Sequence, residues 1–268
     1  LKSLDLSGCD QINDYRLLQN INKRTPAEII NHMQPKDFKF LEQLTQLIDL
    51  NLSSCIEIND FNFLRKYKEI THLNLSGCSQ ISEFTFLQHC NKLTHLNLSE
   101  YTQMSDFSFL QHCNKLTHLD LSKCTEIRDI SFLQHCNKLT HLDLSECTLI
   151  SDFSFLQHCT ELTSLSLIGC REINDLSFLQ YCKKLVSLDL SWCTGITDFS
   201  FLQHCNTLTS LALKCCHQIR DVTFLQHCEN LTSLNFTGCR NNQDFSFLQH
   251  CKMLTNLDLT SCYGISNI

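Results

Sequence analysis

The stretch FLQHCNKLTHLDLS occurs twice, at residues 109–122 and 132–145. Each copy sets a histidine beside a cysteine and a second histidine beside a Leu-Asp-Leu triplet. Histidine next to cysteine is the composition of a thiol–imidazole pair, in which a base draws the proton from a sulfur nucleophile. It is equally the composition of a zinc site. The dipeptide recurs, however, at His89-Cys90, His112-Cys113, His135-Cys136, His158-Cys159, His204-Cys205, His227-Cys228 and His250-Cys251. A catalytic thiol needs one base, singled out and oriented by a third group, and a row of equivalent pairs singles out none. On a helical turn adjacent residues diverge by ~100°, so a core-facing Cys136 sends His135 outward. No P-loop, G-x-G-x-x-G, G-x-S-x-G or H-E-x-x-H pattern offers another reaction. The chain therefore reads as a non-enzyme with no catalytic residue, no cofactor and no metal. The run Cys215, Cys216, His217 holds metal-ligand types, but contiguous residues do not readily converge on one ion.

The elements that position these residues repeat. Leu50, Leu73, Leu96, Leu119, Leu142, Leu165, Leu188, Leu211, Leu234 and Leu257 recur every 23 residues, and Leu4 lies two periods before Leu50. A period of that size marks a solenoid, whose units bury their apolar faces only against one another. The alternation Leu119, Asp120, Leu121 predicts a short strand with one face inward. The cluster Phe132, Leu133, Cys136 fits a turn or two of helix or 3-10 structure on the opposite, convex side. The fold expected is an α/β repeat: a solenoid of about 12 units of 23 residues over residues 1–268, with a parallel concave sheet and short helical or 3-10 convex segments. One aromatic per unit, from Phe40 and Phe63 through Phe109, Phe132 and Phe155 to Phe247, is expected to form a core ladder, each ring contributing about 1.5–3 kcal/mol on burial.

Composition bounds the partners. A formal charge of −7 disfavours nucleic acid and anionic membrane surfaces, and no apolar run approaches the ~18 residues of a membrane helix. Eighteen of the 19 cysteines fall into two columns, one from Cys9 and Cys55 to Cys262 and one from Cys90 to Cys251, leaving Cys215 outside. Regular single columns describe small buried thiols, and the expectation is a reducing compartment, the cytoplasm. A carboxylate recurs before each convex segment (Asp14, Asp37, Asp60, Glu83, Asp106, Asp129, Asp152, Asp175, Asp198, Asp221, Asp244), where it is expected to cap backbone N–H groups.

Leu116, Leu119, Leu121 and Cys124 fit the pattern L-x-x-L-x-L-x-x-N/C, so the chain resembles the leucine-rich repeat family. The further Ile127, Asp129 and Cys136 make it similar to the cysteine-containing subclass found in the substrate-recognition halves of F-box ubiquitin-ligase adaptors, whose repeats run longer. One unit departs. Residues 15–47 form an irregular N-terminal unit in which TPAE at 25–28 is a capping box with proline in the first helical position, predicting a helical insertion from about Pro26 to Met33. Pro26, Glu28, Ile29, Ile30, Met33, Pro35, Lys36 and Asp37 also resemble part of an F-box, spaced about one helical turn short. That resemblance implies, as the alternative, the substrate-recognition subunit of a ubiquitin ligase, with its F-box-like segment at 26–37.

In a copied solenoid, function belongs where the exposed face departs from the template. His72, His95, His118 and His141 precede the first strand leucine and should lie on the concave face, close enough for neighbouring imidazoles to touch. Asp120, Asp143 and Asp189 share that face. The positions just after the strands vary most: Tyr101, Lys123, Glu146, Arg171, Trp192, Lys214, His217, Arg240 and Tyr263. Trp192, the only tryptophan, with arginine and tyrosine in nearby units, has the residue types of an interface hot spot. A dozen strands span on the order of 50–60 Å, enough for a standard protein interface. The reading is a monomeric protein-binding module. The near-verbatim copies and their Asn, Lys, Phe and Ile usage are similar to leucine-rich repeat effectors of intracellular bacterial pathogens. That resemblance implies a host protein or another effector enzyme as partner, inhibition of that enzyme by occlusion, and residence in the host cytosol.

Overall fold

In the computed structural model, which describes residues 1–8, 38–56, 58, 61–81, 83–239 and 245–262, each repeat spends only three residues on a strand. Only the central leucine of a triplet such as His118-Leu119-Asp120 needs to be inside, and it is: Leu119 is buried while its two neighbours are half-exposed. The chain forms two compact units, residues 1–101 and 102–268. In the first, strands β1 (Ser3–Asp5), β2 (Asp49–Asn51), β3 (His72–Asn74) and β4 (His95–Asn97) pair in parallel in chain order. In the second, β5 (His118–Asp120), β6 (His141–Asp143), β7 (Ser164–Ser166), β8 (Ser187–Asp189), β9 (Ser210–Ala212), β10 (Ser233–Asn235) and β11 (Asn256–Asp258) do the same. Leucine sits opposite leucine at every step, so one register serves all pairs.

β1 pairs directly with β2 although Ser3 and Asp49 stand 46 residues apart, twice the period. In the sheet β1 and β2 are thus direct neighbours. The helical insertion and the F-box-like segment at 26–37 lie outside the described residues, as do Arg240 and Tyr263.

The return segments are 3-10 helices of four to six residues, Ser131–His135 being typical. Their i→i−3 bonds run on without a break, from Leu133 N to Ile130 O (3.0 Å), Cys136 N to Leu133 O (3.0 Å) and Leu139 N to Cys136 O (3.1 Å). The tighter winding brings Phe132, Leu133 and Cys136 inward within few residues, leaving Gln134 and His135 exposed. The acidic column does cap these segments. Oδ1 of Asp106, Asp129, Asp152, Asp175, Asp198 and Asp221 accepts the backbone N–H two residues on, at 2.7–2.8 Å. The aromatic ladder is less uniform than its spacing implies: Phe63, Phe86, Phe132, Phe178, Phe201, Phe224 and Phe247 are buried, whereas Phe109 and Phe155 are half-buried.

Both cysteine columns are core. Thiols of the first column donate to the carbonyl 26 residues earlier, as in Cys147 to Leu121 O (3.2 Å), Cys170 to Leu144 O (3.2 Å) and Cys193 to Leu167 O (3.0 Å). Second-column thiols reach equivalent carbonyls more loosely, Cys136 to Leu110 O at 3.8 Å. Tyr101 corrects the expectation of an exposed strand-end residue. It occupies the first-column cysteine position, is 6% exposed, and its hydroxyl donates to Leu75 O at 2.8 Å, the carbonyl a cysteine there would have used. Tyr67 does the same in the second column, donating to Leu41 O.

Two outcomes follow. Tyr101→Phe, which keeps the ring and deletes this hydrogen bond, lowers stability by about 1 kcal/mol in urea unfolding. The second concerns acid. Backbone and side-chain hydrogen bonds from Ser108, Ser154 and Ser200 hold the carboxyls of Asp106, Asp152 and Asp198 below the usual 3.8. A depressed folded-state value contributes stability above the unfolded value and loses it as pH falls through the folded one. The unfolding midpoint of the parent therefore drops on acidification below about pH 4. In the triple Asp→Asn variant, which keeps the acceptor oxygen but cannot titrate, that drop is shallower.

Candidate functional site

Nine of the eleven described strands end in the same local device. The Asn or Asp at the strand's third position accepts the N–H two residues on through Oδ1, as Asn74 does from Ser76 (3.0 Å), Asp120 from Ser122 (2.9 Å), Asp143 from Ser145 (2.8 Å) and Asp189 from Ser191 (2.8 Å). The residue after that serine has a left-handed backbone: Gly8, Ser54, Gly77, Glu100, Lys123, Glu146, Gly169, Trp192, Cys215, Gly238 and Ser261 all have φ between 57° and 74°. Its N–H donates to the next repeat, Lys123 to Ser145 O (2.7 Å), Glu146 to Ile168 O (2.6 Å) and Trp192 to Lys214 O (2.8 Å). The chain is thus turned from the sheet into the core, where the first-column cysteine follows.

The proposed strand-end residues therefore belong to different rows. Lys123, Glu146 and Trp192 are exposed on the left-handed ridge. Lys214 is exposed one position earlier, where Ser99, Ser145 and Ser191 are buried. Arg171 and His217 lie two positions beyond the ridge; Arg171 is exposed, and His217 is half-buried with Nδ1–H donating to Gly238 O at 3.1 Å. Tyr101 is not on the surface at all.

On the open sheet face the first strand position carries the histidines, and they touch as their spacing implies. His72 and His95 stack with ring centroids 4.0 Å apart, and His118 and His141 at 4.1 Å. From β7 to β10 serine replaces them, and β11 carries Asn256. Around Trp192 the template loosens further. Ser166 and Ala212 flank Asp189 in register, and neither offers the carboxylate or amide oxygen found in other repeats. Beside them stand Ile168 and Lys214, where other repeats carry serine or threonine. Ile168 and Ala212 were legible only by lining up this one column, because small or aliphatic residues carry no chemical signal of their own. The result is a patch with a lowered floor on β7 and β9, one central carboxylate, and a 45%-exposed tryptophan at its rim.

The His-Cys pairs diverge. Cys136 is buried and burial pushes its thiol up to about 12, while His135 is exposed. A thiol so disposed supplies no thiolate at neutral pH. Among the described residues, no three His, Cys, Asp or Glu side chains converge as metal ligands, and no helix is long and apolar enough to cross a membrane.

Three repeat models match the sequence: "Leucine Rich repeats (2 copies)" at 91–135 and 114–158, "BspA type Leucine rich repeat region (6 copies)" at 168–268, and "Leucine Rich repeat" at 1–14. The chain is a leucine-rich repeat protein. Among solved structures, this leucine-rich repeat chain is similar to an internalin, InlF, from Listeria monocytogenes, at 24% identity and a TM-score of 0.65 over 86% of this chain and 75% of that one. It is also similar to an internalin C2 from the same species, at 26% identity and a TM-score of 0.55 over 65% of this chain and 74% of that one. No curated protein sequence matches it. Leucine-rich repeat proteins generally bind protein partners, and the fold is generally non-enzymatic. This chain is accordingly a protein-binding module.

At Asp143 the charge itself opposes folding. Burial, foremost, holds its carboxyl above the usual value, and the Asp120 and Asp189 charges add to the effect. Asparagine makes the same strand-end bond at Asn51, Asn74, Asn97 and Asn235, so the charge is not needed for the turn. A raised folded-state value on an acid means the ionised form opposes folding, a penalty fully present above the folded value and gone below the unfolded one. Asp143→Asn therefore raises the unfolding midpoint at pH 7, and the difference from the parent closes as pH falls below about 4.

Proposed function

We propose that this chain captures a protein partner on the open sheet face of its second unit, without catalysis, with Trp192 as the anchor. One observation carries the reading: the only tryptophan is 45% exposed and sits at φ 64°, on a ridge where Gly8, Gly77, Gly169 and Gly238 occupy the equivalent position. A left-handed conformation costs a residue with a Cβ about 1–2 kcal/mol relative to glycine. The exposed part of that ring is open to a partner. Asp189 and Lys214, with Lys123, Glu146, Arg171, His217, Asp120 and Asp143 further along, supply polar contacts around that anchor. Arg240 and Tyr263 extend the same rows in sequence.

The finer reading rests on resemblance. Likeness to effectors of intracellular bacterial pathogens supports a translocated protein acting as a monomer in the host cytosol, where it binds a host protein or covers the active site of another effector enzyme. The buried core cysteines, which among the described residues form no disulfide, suit such a reducing compartment.

The experiment is affinity capture with the parent and with Trp192→Gly, which removes the ring and relaxes the backbone. The expected result is a partner held by the parent and lost roughly 30-fold by the variant, whose unfolding midpoint is unchanged or raised. Equal recovery of the same protein by both overturns the proposed surface.

A further inference from the structure

A cleft of about 620 Å3 opens on the 3-10 side of the second unit, between the segments Ser200–His204 and Thr223–His227 that follow β8 and β9. That volume falls within the ~300–1,000 Å3 of small-molecule sites. The local sequence accounts for the opening. A Cβ on Gly195 would stand 2.6 Å from Ile173 O and 2.7 Å from Arg171 O, so only glycine lets that turn seat so closely on the repeat before it. Glu126, Leu149, Glu172 and Gln218 fill the position in other repeats. Seating close to one neighbour draws the chain away from the other. Thr197 then puts a short side chain on the cleft wall where the next repeat carries Arg220. At the base Phe199 and Phe224 stack across the two repeats, with ring centroids 5.4 Å apart and 20° between planes.

The walls offer hydrogen bonds of both senses. Asp198 and Asp221 each spend Oδ1 on a backbone N–H, of Ser200 and Thr223, at 2.8 Å, and each keeps Oδ2 as an acceptor. Gln203 and Gln226 set their amide nitrogens 3.3 and 3.1 Å from Nε2 of His204 and His227. An amide nitrogen only donates, so the imidazoles accept there and the two amide oxygens remain as acceptors. Donors come from the Thr197 and Thr223 hydroxyls and from Arg220, which forms no ion pair among the described residues. Two carboxylates against one guanidinium make no field for a polyanion, and an apolar ligand would strand these groups without water. The lining asks for a neutral molecule with several hydroxyls, each able to donate to a carboxylate or amide oxygen and to accept from the guanidinium. A C–H face on the same molecule would rest against the two rings at the base. Those are the properties of a pyranose sugar.

We propose that this cleft is a binding site for a neutral pyranose saccharide, held by Arg220, Asp198 and Asp221, with Thr197 keeping the entrance open. It lies on the 3-10 side, away from the open sheet face and Trp192, and does not depend on capture of a protein there.

Saturation-transfer NMR on the full chain tests this with the methyl glycosides of glucose, galactose, mannose and N-acetylglucosamine as probes. Transfer to at least one of the four is expected. Thr197→Arg, which gives this wall the side chain its neighbour carries, abolishes the transfer, and Arg220→Ala weakens binding of that glycoside roughly 10-fold. Arg128→Ala, in the same column of another repeat, leaves it unchanged. Residues 128, 197 and 220 are all exposed, so each variant keeps the unfolding midpoint of the parent. No transfer to any of the four probes, transfer that survives Thr197→Arg, or equal weakening by Arg128→Ala and Arg220→Ala overturns the proposal.

Discussion

The left-handed residue at the end of each strand is the constraint on which the architecture depends. Its N–H extends the inter-repeat ladder one step past the strand, and its positive φ swings the chain off the sheet so that the next residue, the first-column cysteine, enters the core. The Asx turn before it presets that swing. Without that swing, a three-residue strand would run on into solvent and Leu121 and Cys124 could not both be buried. A 23-residue repeat has little slack: strand, turn, capped 3-10 helix and return must each be minimal, which is why the convex segments wind as 3-10 rather than α.

Cysteine suits that economy. The core position after the ridge needs a small apolar group that can also satisfy a strand carbonyl 26 residues back. A thiol meets both demands weakly, and column after column of them adds up. The tyrosines at 67 and 101 show that the hydrogen bond, not the sulfur, is the requirement: a larger side chain is admitted when its hydroxyl reaches the same carbonyl. Desolvation raises the buried thiols such as Cys136 and Cys159 to about 12, which keeps them protonated at neutral pH.

The period, the strand face, the acidic caps and the stacked histidines were legible in the sequence because each follows from residue type at fixed spacing. What was not legible has physical reasons. Tyr101 reads as a surface aromatic until it is counted as 78 plus one period, when it falls in a buried column; composition at a strand end outweighed register. The strand-end residues were grouped as one row, yet a turn through left-handed backbone separates Lys214, Trp192 and His217 by one and two positions that point differently. Backbone sign itself was hidden, since Lys, Glu and Trp give no local hint of positive φ and only the glycines at equivalent positions do. Phe109 and Phe155 share the ladder's spacing but not its full burial, because exposure depends on neighbouring repeats as well as on the residue itself.

Repetition changes how such a surface should be read. Where eleven repeats solve one folding problem, each position has an internal control, and a departure can be weighed against what the fold alone would choose. At the strand's third position asparagine serves the turn in β2, β3, β4 and β10 and aspartate in β1, β5, β6, β8 and β11, and the charges of Asp120 and Asp189 disfavour that of Asp143. On the ridge four of the eleven described residues are glycine, and Trp192 is the largest of the other seven. At β7 and β9 the capping oxygen is absent, lowering the floor on either side of Asp189. Asp189, Trp192, Ser166 and Ala212 thus lie in neighbouring repeats of one unit, where an exposed aromatic ring stands beside a carboxylate flanked by small residues.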